Sequence, residues 1–231
     1  MGQLSLVDDE EGGGQARLSV TSLVQLRRCP YRFHFTEIQG HGRNAPGSAA
    51  LGLAVHRAIQ TGEEPGAAAA RYVDAFSRSG YADRRVVASE LPIRLRRGDI
   101  TVTGRIDAVF AHGEEGWELV DFKTGAPPSQ PDAADDAQLE VYALAAAERY
   151  GRNPDQLVTT YLYLSTGEAR TRTWSKELVA EAAARLDADL DRIRSESFPA
   201  LANRGCPTCE ALEECDVGLA ALTAGLSSPS S

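Results

Sequence analysis

Apolar positions recur at two different periods along the chain, and the change of period divides it. In the N-terminal third the spacing is helical. A helix is expected to open with Thr21 or Ser22 as N-cap and to run to Arg28, where Pro30 stops it and leaves Cys29 at its C-terminal edge. Leu51, Val55 and Ile59 share one face of a second helix over residues 48–61, and a third helix spans 66–79 behind Pro65. The period then shortens. Residues 86–95 read as a strand, as do 100–110, which open with the β-branched run Ile100-Thr101-Val102-Thr103, and 117–122. The Gly-bearing loop His112-Gly113-Glu114-Glu115-Gly116 joins the last two into a hairpin. A helix over 133–150, strands at 158–165 and 169–174, and a long helix from Ser175 to about Ser195 follow. Strands interleaved with helices predict an α/β (α+β) mixed-sheet domain with helical additions.

The ends differ in character. Gly- and acid-rich residues 1–17 are expected to form a disordered leader or linker, and 223–231 a frayed tail, leaving a single domain over 18–222. The near-apolar stretches 49–55 and 141–147 fall far short of the roughly 20 residues of a membrane span. Residues 1–16 lack the basic-then-apolar pattern of a signal peptide, so the expected location is cytoplasmic.

Charge narrows the partners. With 24 basic and 33 acidic residues the net charge is -9, which argues against gripping nucleic acid by bulk charge but leaves room for bound metal ions and local arginines. Arg27/Arg28/Arg32, Arg84/Arg85 and Arg94/Arg96/Arg97 form clusters that suit either a DNA path or solvated faces. Lys123 and Lys176 are the only lysines.

The hairpin concentrates the chemistry. With its centre near Gly113 and Glu114, antiparallel pairing places Asp107 opposite Val120, next to Asp121. Alternation puts Trp117, Leu119, Asp121 and Lys123 on one face. Two acids and one lysine converging at a sheet margin call for a counter-charge, which a divalent cation supplies. The plain alternative is a solvated strand end carrying an i,i+2 ion pair.

Four fragments in order resemble the RecB-like branch of the PD-(D/E)XK nucleases: Gly52-Leu53-Ala54-Val55-His56, Gly104-Arg105-Ile106-Asp107, Asp121-Phe122-Lys123-Thr124-Gly125 and Gln138-Leu139-Glu140-Val141-Tyr142. The resemblance covers about residues 18–216 and implies a restriction-endonuclease-like fold. It implies that His56, Asp107, Asp121 and the backbone carbonyl of Phe122 bind Mg2+ or Mn2+, and that Lys123 orients or deprotonates the attacking water. Gln138 would hydrogen-bond a phosphate or a catalytic residue, and Tyr142, its i,i+4 neighbour, would stack on a base or lie in the core. Glu90, on the preceding strand, is a further candidate. The implied activity is that of a metal-dependent DNA nuclease, a single-strand or DNA-end exonuclease in recombination repair. CRISPR spacer processing and non-catalytic DNA binding are the alternatives.

Cys29 and the run Cys206-x2-Cys209-x5-Cys215 make one four-ligand set, favouring a thiolate-held metal or cluster over disulfides. Zinc, an iron–sulfur cluster and free structural thiols all remain open on spacing. The order resembles the iron–sulfur staple of AddB-type nucleases and CRISPR-associated RecB-like exonucleases, which implies a [4Fe–4S] cluster with zinc as runner-up. The segments Leu18-Ser19-Val20-Thr21-Ser22-Leu23 and Cys29-Pro30-Tyr31-Arg32-Phe33 resemble the nuclease domain of actinobacterial helicase–nucleases. No P-loop is present, so a helicase partner or domain would supply any motor.

Overall fold

The computed structural model describes residues 16–41, 46–129 and 134–224, without the side chains of 46–49. The expected tail beyond 224 and the leader before 16 lie outside these residues. The leader's last two expected residues do not: they begin β1 (Ala16–Ser19). Four residues are too few to show a period, which is why this strand escaped the sequence pattern.

Helix α1 (Val20–Arg28) starts one turn earlier than expected. Ser19 is its N-cap and accepts the Ser22 N–H at 2.9 Å, while the Ser22 hydroxyl turns to Glu37. Cys29 ends α1, and Pro30 opens the short α2 (Pro30–Phe33). Then come α3 (Pro46–Thr61) and α4 (Ala67–Arg78), strands β2 (Val86–Arg97), β3 (Ile100–His112) and β4 (Gly116–Lys123), and α5 (Ala137–Glu148). Strands β5 (Leu157–Tyr163) and β6 (Glu168–Thr173), helix α6 (Lys176–Arg194) and helix α7 (Asp216–Thr223) complete the order. Ser175 caps α6 by accepting the Leu178 N–H at 3.3 Å.

The six strands form one mixed sheet in the order β1-β3-β4-β5-β6, with β2 also paired to β3. β1–β3 and β4–β5 are parallel; β2–β3, β3–β4 and β5–β6 are antiparallel. One face carries the larger core, where Leu23 and Leu26 of α1, Leu139 and Tyr142 of α5 and Leu186 and Leu190 of α6 meet Val102, Ile106 and Leu119. The other face packs Val55 of α3 and Tyr72 of α4 on Ala108, Phe110, Val120 and Phe122. Both faces are therefore covered, and β4 and β5 are buried along nearly their whole length. Among the described residues no helix is long and apolar enough to cross a membrane.

The hairpin register differs from expectation by one residue. His112 pairs with Gly116 and Ala108 with Val120, so the turn centres on Glu114 and Asp107 faces Asp121 rather than Val120. Gly113 takes φ +62° to make this three-residue turn. Gly116 is required as well, because a side chain there would collide with the carbonyl oxygens of both His112 and Gln156.

The register also shows a fork. β2 runs along one edge of β3, and the other edge is shared: β1 takes Ile100 to Thr103, and β4 takes Ala108 to His112. The strand positions between them, 104–107, lie where the two partners part. A Cβ at Gly104 would sit 2.8 Å from Val20 Cγ2, so glycine lets α1 close over this opening.

Candidate active site

The fork brings three carboxylates to one level of the sheet. Asp107 stands in it, opposite Asp121 on β4, one step beyond the Ala108–Val120 pair. Glu90 on β2 lies between the Ser89–Ala108 and Leu91–Ile106 pairs, beside Asp107 on its other side. Asp121 pairs in turn with Tyr161 on β5.

Asp107 is 8% exposed and fills a gap in the backbone ladder. Its Oδ2 accepts the Phe122 N–H at 2.8 Å, replacing a strand carbonyl that the fork has removed. Helix α3 is seated by fully buried Val55, and that seating puts the next residue, His56, at the site. His56 Nδ1 lies 3.3 Å from Asp107 Oδ1, and Nε2 lies 3.0 Å from the Phe122 carbonyl oxygen.

Asp121 is 3% exposed and is held from α5. Its Oδ1 accepts hydrogen bonds from Gln138 Nε2 at 2.5 Å and Tyr142 Oη at 2.8 Å. Gln138 Oε1 accepts from Lys123 Nζ at 2.8 Å, so one amide orients both the acid and the amine. The Tyr142 hydroxyl shares its proton between Asp121 and the Arg105 carbonyl, 3.0 Å away in the fork. Tyr142 is 1% exposed, so the expectation that it stacks on a base is corrected: the ring is core and the hydroxyl is a strut.

Glu90 has φ +52°, a left-handed backbone that glutamate rarely adopts. Gln60, one turn beyond His56, donates to its Oε1, and Arg105 Nη1 lies 3.1 Å from its Oε2. Sequence reasoning singled out neither Gln60 nor Arg105. Gln60 was legible as the i+4 neighbour of His56, whereas Arg105 needed the β2–β3 register.

The site is short of positive charge. Burial raises the Asp107 pKa, the His56 hydrogen bond pulls it down and the Asp121 charge raises it again; the balance is upward. Burial opposes charging of His56, yet Asp107, the Phe122 carbonyl and Asp121 outweigh it and raise its pKa. Lys123 Nζ lies 2.7 Å from Asp121 Oδ2, close enough to pair but without hydrogen-bond geometry, and this oxygen is buried with no hydrogen bond among the described residues. His56, Glu90 and Asp107 each offer a donor atom within 4.8 Å of the others, the one such set of three among the described residues. The donors fit a hard divalent ion, since carboxylate and carbonyl oxygens with one imidazole nitrogen suit Mg2+ or Mn2+.

The arginine clusters are mostly internal ties. Arg27 holds Glu140 and Asp189, Arg28 holds Asp135, Arg32 holds Glu210, Arg84 holds Glu118, and Arg97 holds Glu148 and Asp187. These five arginines are therefore already paired with carboxylates inside the fold. Arg85, Arg94 and Arg96 remain exposed.

The four cysteines line one pocket with Tyr31, Arg32 and Asn203. No three of their sulfurs lie within 4.8 Å of one another, so they do not form a tight metal-ligand group as they stand. The two ends of the fold nonetheless meet there: Tyr31 N donates to the Pro199 carbonyl at 3.2 Å, and its hydroxyl donates to the Glu214 carbonyl at 3.1 Å.

The sequence matches the family model of the PD-(D/E)XK nuclease superfamily over residues 17–76 and 64–216. No curated protein matches. Among solved structures, the one named SSO0001 is 15% identical, with a TM-score of 0.54 over 93% of this chain and 90% of that one. A "Putative exonuclease" of Eubacterium rectale is 13% identical, with a TM-score of 0.59 over 90% of this chain and 93% of that one. At such identities these two structures speak for the fold, while the family match spans nearly all the described residues. The fork of acids and the strand carrying Asp121 and Lys123 lie inside the matched range, and the chain belongs to the PD-(D/E)XK nuclease superfamily.

Proposed function

We propose that this nuclease is a RecB-like, divalent-metal-dependent deoxyribonuclease, cytoplasmic, acting on single strands or DNA ends in recombination repair, with residues 18–222 working as one catalytic unit. The observation that carries the reading is the meeting of Asp107, Asp121, His56 and Lys123 at the fork, with more negative than positive charge buried there.

His56, Asp107, Asp121 and the Phe122 carbonyl would hold Mg2+ or Mn2+; His56, Asp107 and Glu90 already offer donors within 4.8 Å of one another, whereas Asp121 lies outside that close set and approaches from β4. When bound, the ion supplies positive charge for the scissile phosphate and lowers the pKa of water. Lys123 points its ammonium along the Asp121–Gln138 edge, where it orients the attacking water and stabilises charge growing on the phosphate oxygens. Gln138 holds the Lys123 amine and the Asp121 carboxylate in register, and Tyr142 locks that carboxylate to the Arg105 backbone. Preorganisation of this kind removes reorganisation from the chemical step.

Cys29, Cys206, Cys209 and Cys215 hold a [4Fe–4S] cluster that clamps the ends of the fold. Supporting this reading, all four line one pocket where the two ends of the fold meet. Backbone N–H groups of Asn203 and Gly218 lie 3.3 Å from the Cys206 and Cys215 sulfurs. A helicase subunit or domain would deliver the strand.

The test is cleavage of end-labelled single- and double-stranded DNA with and without Mn2+. We expect end-dependent, Mn2+-dependent digestion by the wild type and a residual rate at least about a hundredfold lower for Lys123→Ala; equal digestion by both defeats the reading. Anaerobically purified protein is expected to be brown with about four irons per chain, and colourless protein holding one zinc reverses the cluster assignment.

A further inference from the structure

Among the groups read as metal-binding or catalytic, Lys123 is the most exposed. Its side chain keeps 35% of its exposure and ends in an amine free to turn about four side-chain bonds. Its polar partners, Asp121 Oδ2 at 2.7 Å and Gln138 Oε1 at 2.8 Å, belong to β4 and α5. The remaining contact comes from β5: the Lys123 ammonium stands 4.9 Å from the centroid of the Tyr161 ring. A ring face at this distance attracts a cation through its quadrupole.

The ring is itself fixed at its far end. Tyr161 is the register partner of Asp121, which places it in the same row across the sheet. It is 7% exposed, and its hydroxyl donates to the Asp135 carbonyl at 2.7 Å in the turn before α5. Asp135 cannot easily shift, because Arg28 Nη2 lies 2.7 Å from its Oδ1 and Arg204 Nη2 lies 2.6 Å from its Oδ2. Burial raises the phenol pKa, so the hydroxyl keeps the proton with which it holds this carbonyl.

We propose that Tyr161 is a positioning residue for the nuclease reaction: its ring, pinned at Asp135, forms a wall that confines the Lys123 amine to the side shared by Asp121 and Gln138. The proposal rests on the reading of Lys123 as a catalytic group. The wall acts after substrate is bound, so its removal lowers kcat rather than weakening binding. The arrangement also ties Arg204, 69 residues from Asp135 in the chain but directly paired with it, and hence the neighbouring cysteine segment, to the placement of the catalytic amine.

Steady-state cleavage of an end-labelled oligonucleotide in Mn2+ tests this with Tyr161→Phe and Tyr161→Leu, each also made in a Lys123→Ala background. Tyr161→Phe keeps the ring face but loses the tie to Asp135 and is expected to lose about threefold in kcat, whereas Tyr161→Leu, which loses both, loses about tenfold, with KM within about twofold in each. In the Lys123→Ala background Tyr161→Leu is expected to cause no further loss in the residual rate, because the ring acts through the missing amine. Should Tyr161→Leu fail to fold, Tyr161→Met, closer in volume, carries the same expectation. Unchanged kcat in the folded Leu or Met variant overturns the proposal, as does an equal loss with and without Lys123. Wild-type cleavage by Lys123→Ala alone overturns instead the catalytic reading on which it rests.

Discussion

Glu140 of α5 and Asp121 of β4 are almost equally sealed from solvent at 4% and 3% exposure and are neutralised in opposite ways. Glu140 is met by Arg27 Nη1 at 2.6 Å and Arg185 Nη2 at 2.9 Å, with Arg172 at 3.8 Å; Arg27 also takes Asp189 at 2.6 Å. That web joins α1, α5 and α6, and it has at least as many guanidinium groups as carboxylates. Guanidinium forks are rigid, multidentate and always charged, which suits a permanent buried tie. Around Asp107, Asp121 and Glu90 the protein offers one lysine, a histidine whose charge depends on those same acids, and exposed Arg105. The first arrangement is complete in itself. The second is a framework of hydrogen bonds around a charge deficit, which is how a chain makes room for an added cation without collapsing onto its own arginines.

Four substitutions and titrations break or sharpen this contrast. Asp121→Asn is expected to reduce cleavage by at least about a hundredfold while leaving the folded state of the metal-free protein as stable as wild type or more so, since it removes a buried, under-neutralised charge. Cleavage rates and urea denaturation measure both, and a large loss of stability would place Asp121 with Glu140 instead. Arg27→Ala is expected to do the reverse: a stability loss of about 3–5 kcal/mol in urea, because Glu140 and Asp189 lose a shared partner, with little change in kcat per folded molecule. Mn2+ at a hundred times its dissociation constant should stabilise the wild type by about 2.7 kcal/mol, seen as a rise in Tm, and stabilise Asp107→Asn far less. Equal Tm shifts in the two proteins would mean that the ion binds elsewhere.

The smallest effect concerns a third buried acid. Burial opposes ionisation of Glu118, but hydrogen bonds from Thr160 at 2.6 Å and Tyr81 at 2.7 Å, together with Arg84, outweigh it and lower its pKa. A carboxylate with a lowered folded pKa stabilises above its ordinary value of 4.5 and loses that contribution as pH falls through the lowered one. Stability of wild type minus Glu118→Gln should therefore be about 1 kcal/mol near neutrality and shrink below pH 4.5. A difference that is flat with pH would show that Glu118 is not ionised in the fold.

Much of the molecule was readable along the chain. The helices around Val55, Phe76 and Leu186, the hairpin and the later strand pair carry clear local periods, and the structure keeps them with shifts of a few residues at their ends. The candidate groups were nameable too, because His56, Asp107, Asp121, Lys123 and Gln138 sit in the four ordered fragments, and the fold brings them near one another. Errors arose where a single residue mattered. The N-cap moved from Thr21 or Ser22 to Ser19 because the Ser22 hydroxyl was claimed by Glu37, fifteen residues away. The hairpin slipped by one because its turn has three residues rather than two centred on Gly113 and Glu114. The acid partners of the arginine clusters were not legible, because sequence shows that arginines are neighbours but not which acids they meet.

Sequence alone determined the kinds of groups available and the elements that carry them, since helical and strand periods are properties of neighbouring residues. Tertiary structure decided the rest: that β1 and β4 part on one edge of β3, that Asp121 meets Tyr161 across a parallel pair, and that Tyr142 turns its hydroxyl to a carboxylate instead of its ring to solvent. Those choices depend on contacts between residues far apart in the chain, where the favourable pairing is set by which buried charges and unpaired backbone groups must find partners once the layers close.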